Sequence, residues 1–191
     1  MLPLALFGAG ACTATPPDDS AVVVRQEQAA PTPPADPPLP PARDTAATLA
    51  ELARRTAAID ADTATMSRSS HPIDLGAGTT GVLHAWRAGP VWRRLRLEGD
   101  GDGFTTIETY WLGTAGPLKA RQETVRPGET PRIETIWFRD SLPYRWLDAD
   151  GRTLTLQSRS TEYQADGLRT RLADLMQVVI DTGTAQPPPD R

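Results

Sequence analysis

Apolar residues recur at helical spacing near the start of the region that we expect to fold. Between residues 44 and 63 the chain is rich in Ala, Leu, Glu and Arg and contains neither Gly nor Pro. The spacing of Leu49, Leu52 and Ile59 predicts an amphipathic helix that begins near Asp44. Its apolar stripe is narrow and rich in alanine, so we expect this helix to pack on a sheet.

Beyond residue 80 the pattern changes to short runs typical of β-strands, separated by Gly, Pro and Asp. No helical pattern lies between these runs, so consecutive strands are expected to pair antiparallel in a meander. Turn-forming stretches such as "EGDGDG" and "RPGETP" support these boundaries. The predicted strands, within a meander spanning 80–160, are 81–87, 91–97, 104–112, 118–125, 132–139, 142–148 and 153–159.

A second amphipathic pattern follows the strands. Leu168, Leu172, Leu175, Met176 and Val179 lie on one face of a helix that we predict over residues 166–181. The predicted fold class is therefore α+β. It is a six- to seven-stranded antiparallel meander sheet with an N-terminal and a C-terminal helix packed on one face. This single domain covers 44–182, and a disordered tail is predicted over 183–191.

The strands contain a repeat. "IETYW" at 107–111 recurs as "IETIW" at 133–137, and Trp86, Trp111 and Trp137 are spaced by 25 and 26 residues. Each of these tryptophans is followed by a turn, a proline and a second strand. The pattern predicts a β-hairpin of about 25 residues that is present three times.

Side-chain alternation along a strand separates the two faces of the predicted sheet. The face that carries the tryptophans is expected to form the core under both helices. The opposite face is also aromatic, so either sheet curvature buries it or it forms an exposed contact patch. The residues predicted for a binding surface are Tyr110, Ile136, Phe138, Trp92 and Arg94.

Two glutamates of the repeat, Glu108 and Glu134, could form a catalytic carboxylate pair. On strands separated by one other strand they would lie about 9–10 Å apart, near the separation found in inverting glycosidases. The intervening strand carries Lys119 and Arg121, which favours a solvated Glu–Arg–Glu ladder instead. We therefore predict no catalytic residue.

The N-terminal part of the chain differs in composition. Ten of the 19 prolines lie in the first 41 residues, and the only cysteine is Cys12. An apolar run at 2–7 followed by "AGAC" resembles a bacterial lipobox. This resemblance implies a signal peptide at 1–11 and lipidation of Cys12; an ordinary secretory signal is the alternative. Residues 12–43 are predicted to form a Pro-rich disordered tether.

Several functional classes receive no support from the sequence. Net charge is −4 without a basic run, so no nucleic-acid partner is expected. His71 and His84 lack metal-ligand spacing. The acidic stretch at 98–103 is similar to a calcium loop, but Thr109 stands where the loop needs a glutamate, so we interpret it as a hairpin turn. No cofactor or metal is predicted.

The block 79–155 resembles a loosely defined group of uncharacterised bacterial secreted proteins and lipoproteins. Their layout is a helix, an aromatic-rich meander and a second helix. The stretches that carry the resemblance are "IETYWLGTAGPLKARQE" and "IETIWFRDSLPYRWLDADGRTL". The resemblance spans about 59–181 and implies export and a fold type, but no activity.

Together these features predict a non-enzymatic lipoprotein of the bacterial cell envelope, anchored in the outer membrane and facing the periplasm. We expect a binding or accessory module that uses its β-sheet surface. Its expected partners are the membrane, through the lipid anchor, and an envelope protein or a small apolar ligand. An inhibitor or immunity protein acting through loops 99–103 and 126–131, and a periplasmic hydrolase with an unrecognised site, are the alternatives.

Overall fold

The computed structural model describes residues 45–76, 79–101, 103–156 and 159–184. The predicted signal peptide, Cys12, the tether and residues 185–191 of the predicted tail lie outside them. The elements, in chain order, are α1 (Thr45–Asp62), a 3-10 turn (Thr63–Thr65), β1 (Ser67–Gly76), β2 (Thr79–Ala88), β3 (Val91–Gly101), β4 (Phe104–Gly113), β5 (Gly116–Val125), β6 (Arg132–Arg139), β7 (Leu142–Leu147) and α2 (Arg159–Thr184).

The strands form one seven-stranded antiparallel sheet in the order β1 to β7. Each strand pairs with the next along the chain, so the predicted meander is confirmed. The α+β class, with one helix before the sheet and one after it, is confirmed as well. Both helices begin and end close to their predicted limits, except that α2 begins at Arg159 and not at 166.

One predicted strand is wrong and one real strand was missed. The segment predicted as a strand at 153–159 makes only an isolated bridge, between Thr153 and Leu147. In its place β1 forms the first edge of the sheet. Its sequence, "SRSSHPIDLG", is polar and contains Pro72, which an edge strand tolerates because one side of its backbone needs no partner. An edge strand with so few apolar residues gives a weak signal.

The hairpin repeat corresponds to three β-bulges at equivalent places. The register shifts directly after Trp86, Trp111 and Trp137. Each time, one residue of the next strand has no partner opposite it in the pairing. A bulge adds local twist and re-aims the extra side chain. In the second repeat the extra residue is Leu118, which is buried beside Trp111. What the sequence repeat encodes is therefore a β-hairpin with a bulge after its tryptophan.

The larger core lies between the sheet and α2. A continuous row of side chains crosses six neighbouring strands with every member almost fully buried: Ala85, Leu95, Tyr110, Ala120, Ile136 and Trp146. From the helix, Leu168, Leu175 and Val179 pack against it. We call this side of the sheet the α2 face. From the sequence, this face was the possible contact patch. In the structure α2 covers it.

The helix α1 lies on the other side of the sheet. Its Leu52 and Ile59 form a smaller cluster with Trp111 and Leu118. We call this side the α1 face. The two helices therefore lie on opposite faces and do not share one face as predicted. The tryptophan face carries cationic side chains between its rings, and its buried apolar cluster is the smaller of the two.

Candidate functional site

Three of the five residues predicted to form a binding surface are in the core. Tyr110 is 1%, Ile136 0% and Phe138 2% exposed. All three belong to the cluster that α2 covers. They cannot contact a partner, so the prediction of an exposed patch built on them is wrong.

The other two predicted surface residues are already engaged within the protein. Trp92 packs against the α2-face core, and the guanidinium of Arg87 lies 5.4 Å from its ring centre. Arg94 lies between two tryptophans on the α1 face, 5.1 Å from the ring of Trp86 and 5.6 Å from that of Trp111. Neither residue offers a free surface.

Arg94 is part of a row that crosses the whole sheet on the α1 face, with cationic and aromatic residues in strict alternation. Cation–π contacts join its members from Arg68 on β1 to Trp137 on β6, with ring distances from 4.6 to 5.6 Å. Each is worth about 0.5–1 kcal/mol where it is exposed and more where it is desolvated. In strand order the members are Arg68, Trp86, Arg94, Trp111, Lys119, Trp137 and Arg145. We call it the cation–tryptophan row.

A single carboxylate of α1 attaches the helix to this row. Asp60 accepts a 2.8 Å hydrogen bond from the indole Nε1 of Trp111 and forms a 3.2 Å ion pair with Arg94. Burial lowers the pKa of Arg94 and that of Lys119, and the charge of Asp60 opposes both shifts. Both faces of the central rings are occupied by cations. The row therefore holds α1 on the sheet and is not an open ligand site.

A concave space lies on the α2 face, beside the N-terminal half of α2. Here the apolar rows of the sheet give way to a polar row, Glu108, Gln122 and Glu134, in direct register across β4, β5 and β6. A cavity of about 460 Å³ separates this row from the helix. Its other lining residues are Trp146, Gln164, Gly167, Leu168 and Arg171.

A second cavity of about 340 Å³ adjoins the first. The residues Glu108, Gln122 and Glu134 line both, so the two spaces share one floor. The second cavity extends toward the β5–β6 turn, where Thr106, Thr124, Arg126 and Arg132 surround it. We call the two cavities together the polar groove.

At one end of the floor, Glu108 is held by two neighbours. Its Oε2 accepts a 3.1 Å hydrogen bond from the Tyr110 hydroxyl, and Nε of Arg171 lies 3.5 Å from the same oxygen. Burial raises the pKa of Tyr110, and the negative charge of Glu108 raises it further. The tyrosine therefore stays a hydrogen-bond donor, and Glu108 is satisfied by the protein itself.

At the other end of the floor, Glu134 has a weaker set of contacts. Its Oε2 accepts a 3.3 Å hydrogen bond from the indole Nε1 of Trp146. Within the described part of the chain, no cationic side chain forms an ion pair with it. A carboxylate that meets one neutral donor retains most of its capacity to accept hydrogen bonds.

The Glu–Arg–Glu ladder predicted from the sequence is wrong. Gln122, an uncharged residue, lies between the two glutamates. The side chain of Arg121 is on the opposite face, where it forms a 3.0 Å ion pair with Glu123. Lys119 belongs to the cation–tryptophan row. The glutamates thus share a groove that the intervening cations do not enter.

The remaining predicted features have structural roles. Nδ1 of His84 accepts a hydrogen bond from the guanidinium of Arg68 and lies 2.8 Å from the Ser70 hydroxyl, and burial lowers the pKa of this histidine. Strand β3 ends at Gly101 and β4 begins at Phe104, and these two residues pair. The acidic stretch at 98–103, which is similar to a calcium loop, therefore belongs to the end of a β-hairpin, as predicted. Over the described residues, no group of three or more His, Cys, Asp or Glu is placed to hold a metal ion.

The groove residues contributed by α2 and β7 were not singled out in the sequence. Trp146 of β7 contacts Glu134, and Arg171 of α2 contacts Glu108, only once the sheet and the helix have come together. One signal was available, a glycine inside a helical stretch. Gly167 costs helix stability, and a Cβ atom at this position would meet no other atom within 4 Å. It lines the mouth of the larger cavity.

None of the helices in the described part of the chain is long and apolar enough to cross a membrane. No protein family, curated protein or solved structure matches this chain.

Proposed function

We propose that this protein is a non-enzymatic binding module of the bacterial cell envelope, tethered through a lipidated Cys12, and that it binds a small polar ligand in the polar groove. The observation that carries the proposal is the groove itself. It combines a row of hydrogen-bonding side chains with a concave space of several hundred cubic ångströms. Ligand sites are typically concavities of about 300–1,000 Å³ with a few convergent polar groups.

The polar lining changes the ligand that we expect. The sequence suggested an apolar ligand, because the α2 face is rich in aromatic and aliphatic residues. Those residues are buried against α2 and are not available to a ligand. The space that is left open is floored by two carboxylates and an amide, which would each lose hydrogen bonds to water under an apolar molecule. A ligand that replaces these hydrogen bonds is favoured.

The placement in the envelope is supported by the N-terminal sequence. A lipobox-like stretch ends at Cys12, and the Pro-rich segment that follows reaches to the start of α1. Such a segment extends by about 3 Å per residue, so it gives an anchored domain several nanometres of reach. A soluble ligand could then be bound away from the membrane surface.

The groove can be tested by nuclear magnetic resonance on the full chain with a panel of amino acids, amines, carboxylic acids, sugars and nucleosides. The five tryptophans give five indole signals, and Trp146→Phe identifies the one that belongs to Trp146. We expect at least one compound to shift the signal of Trp146. This indole donates to Glu134 and lines the groove.

Two substitutions at one helical position provide the matched control. Gly167→Leu places a side chain in the mouth of the larger cavity, whereas Gly167→Ala adds one methyl group in open space. Both should keep or raise stability, because each removes a helical glycine. Binding should weaken by about tenfold or more in the Leu variant and persist in the Ala variant. Equal binding by both variants, or a panel that leaves Trp146 unshifted, would refute the proposal.

A further inference from the structure

The polar groove contains one charge of each sign that has no ion-pair partner among the described residues. Six charged residues line it, and four of these have ionic partners, although the side chain of Glu123 forms its ion pair on the opposite face. Glu108 pairs with Arg171, Glu123 with Arg121, and Arg126 with Glu129. The two that remain are Glu134 and Arg132, neither of which forms an ion pair with any residue in the described ranges.

These two side chains are close together but do not neutralise each other. They lie two residues apart on β6, so both project from the same side of the strand at an interval of about 7 Å. Their charged groups are not within ion-pair distance, although both line the smaller cavity. A carboxylate and a guanidinium thus face one space with room between them.

The chemistry of the two groups is complementary to the two ends of an amino acid. An ammonium group donates three hydrogen bonds, and the floor offers the carboxylate of Glu134 and the amide oxygen of Gln122 in adjacent register. A guanidinium binds a carboxylate through two parallel hydrogen bonds. The larger cavity lies beyond Glu134 and ends at Trp146 and Leu168, which present an apolar wall.

We propose that the polar groove binds a zwitterion, either a free amino acid or a short peptide. Its ammonium group lies at Glu134, its carboxylate lies at Arg132, and an apolar side chain extends toward Leu168. This inference rests on the proposed function, since it names the class of ligand for the same groove. It explains why an acid and a base on one strand remain unpaired in a site where all the other charges have partners.

The test is isothermal titration calorimetry on the full chain with leucine and leucyl-glycine, each in free, N-acetylated and C-amidated form. The acetyl group removes the ammonium charge, and the amide removes the carboxylate. We expect the free compounds to bind about tenfold or more tightly than either blocked form, because each block breaks one charge-assisted contact.

Two variants assign the ends of the ligand. With Glu134→Gln, free and N-acetylated leucyl-glycine should bind equally. With Arg132→Gln, the free and amidated forms should bind equally. Both residues are at least partly exposed, so the fold is expected to survive, and melting temperatures check this. Arg169→Gln and Asp174→Asn, on exposed positions of α2, are matched controls and should leave the preference for the free forms unchanged.

Blocked and free forms that bind equally well to the wild type would overturn the inference, as would a preference that persists in both variants. The absence of binding by both free compounds would overturn it too. A different polar compound that binds to the wild type and is lost with Gly167→Leu would leave the proposed function standing while this inference fails. The two claims are therefore separable.

Discussion

The phenol of Tyr110 is at the centre of the α2-face core, yet its hydroxyl has a partner. It donates to Glu108, which in turn contacts Arg171 of the helix. A buried tyrosine usually keeps such a bond, because an unsatisfied hydroxyl in the interior is costly. Here the bond also joins the apolar core to the floor of the polar groove. A single side chain thus connects the stability of the sheet with the geometry of the site.

The buried tyrosine leads to a prediction about alkaline pH. Burial, reinforced by Glu108, raises the pKa of Tyr110 above the ordinary value of 10.0. A raised pKa in the folded state means that its contribution to stability is complete below about pH 10 and is lost as pH rises further. Tyr110→Phe should therefore flatten the alkaline decrease in the free energy of unfolding, measured with urea between pH 8 and 11.

The control for this prediction is Tyr163→Phe, because Tyr163 is 81% exposed. That variant should keep the alkaline slope of the wild type. Lys119 acts in the opposite direction. Burial lowers its pKa below 10.5, so its contribution to stability increases as pH rises toward that value. Lys119 is present in all three proteins. The difference in alkaline slope between wild type and Tyr110→Phe therefore reports on Tyr110 alone. Identical slopes for wild type and Tyr110→Phe would contradict the prediction.

Of the two helices, α1 is attached by fewer apolar contacts. Of its four buried residues two are threonines, Thr48 and Thr56, and only Leu52 and Ile59 are hydrophobic. Polar links complete the attachment, from Asp60 to Trp111 and from Arg139 to Thr48. By contrast, α2 buries Ala165, Leu168, Leu175 and Val179 in the main core. Local opening should therefore begin at α1.

The role of Asp60 in this attachment can be measured. Asp60→Ala removes the acceptor for the indole of Trp111 and the partner of Arg94. We expect the opening free energy of α1 to fall by about 1–2 kcal/mol, which is a 5- to 30-fold faster amide exchange in that helix. Hydrogen-exchange mass spectrometry should show this change in α1 and little change in α2.

The matched control is Asp62→Ala, at the exposed end of the same helix. It removes one negative charge without touching the cation–tryptophan row. If both variants accelerated exchange of α1 equally, helix charge and not the link to Trp111 would be responsible. If neither did, α1 would be held by its apolar contacts alone.

At the scale of the whole molecule, one sheet supports two different surfaces. The α2 face carries the main core and leaves the polar groove at its edge. The α1 face carries alternating cations and tryptophans under a lightly attached helix. The N-terminal segment leads into α1, which lies on the face opposite the groove.

The proposed anchor gives a prediction for the full-length protein in a bacterial host. Diacylation of Cys12 would hold wild type in the membrane fraction, whereas Cys12→Ala should be recovered in the soluble fraction. Cys12→Ser, which also lacks the thiol, should behave in the same way. A Cys12→Ala protein that fractionates with membranes just as wild type does would remove the support for lipidation.

The sequence by itself determined six of the seven strands, their antiparallel order and the existence of both helices. These depend on local patterns: alternation over five to ten residues, turn chemistry between strands, and apolar spacing at 3.6 residues. It also pointed to Glu108 and Glu134 as recurring residues of one repeat. It did not determine β1, because a polar edge strand carries little alternation to detect.

Only the tertiary structure decided which face of the sheet received which helix, and which residue lay between the two glutamates. Both depend on long-range geometry. The choice of face follows from the total apolar area that each side offers, and alternation assigns residues to faces without saying which face is buried. Register follows from turns and bulges, which placed Gln122 and not Arg121 opposite Glu108. The groove exists because α2 packs directly on the apolar rows, whereas its N-terminal half faces the polar row across a cavity.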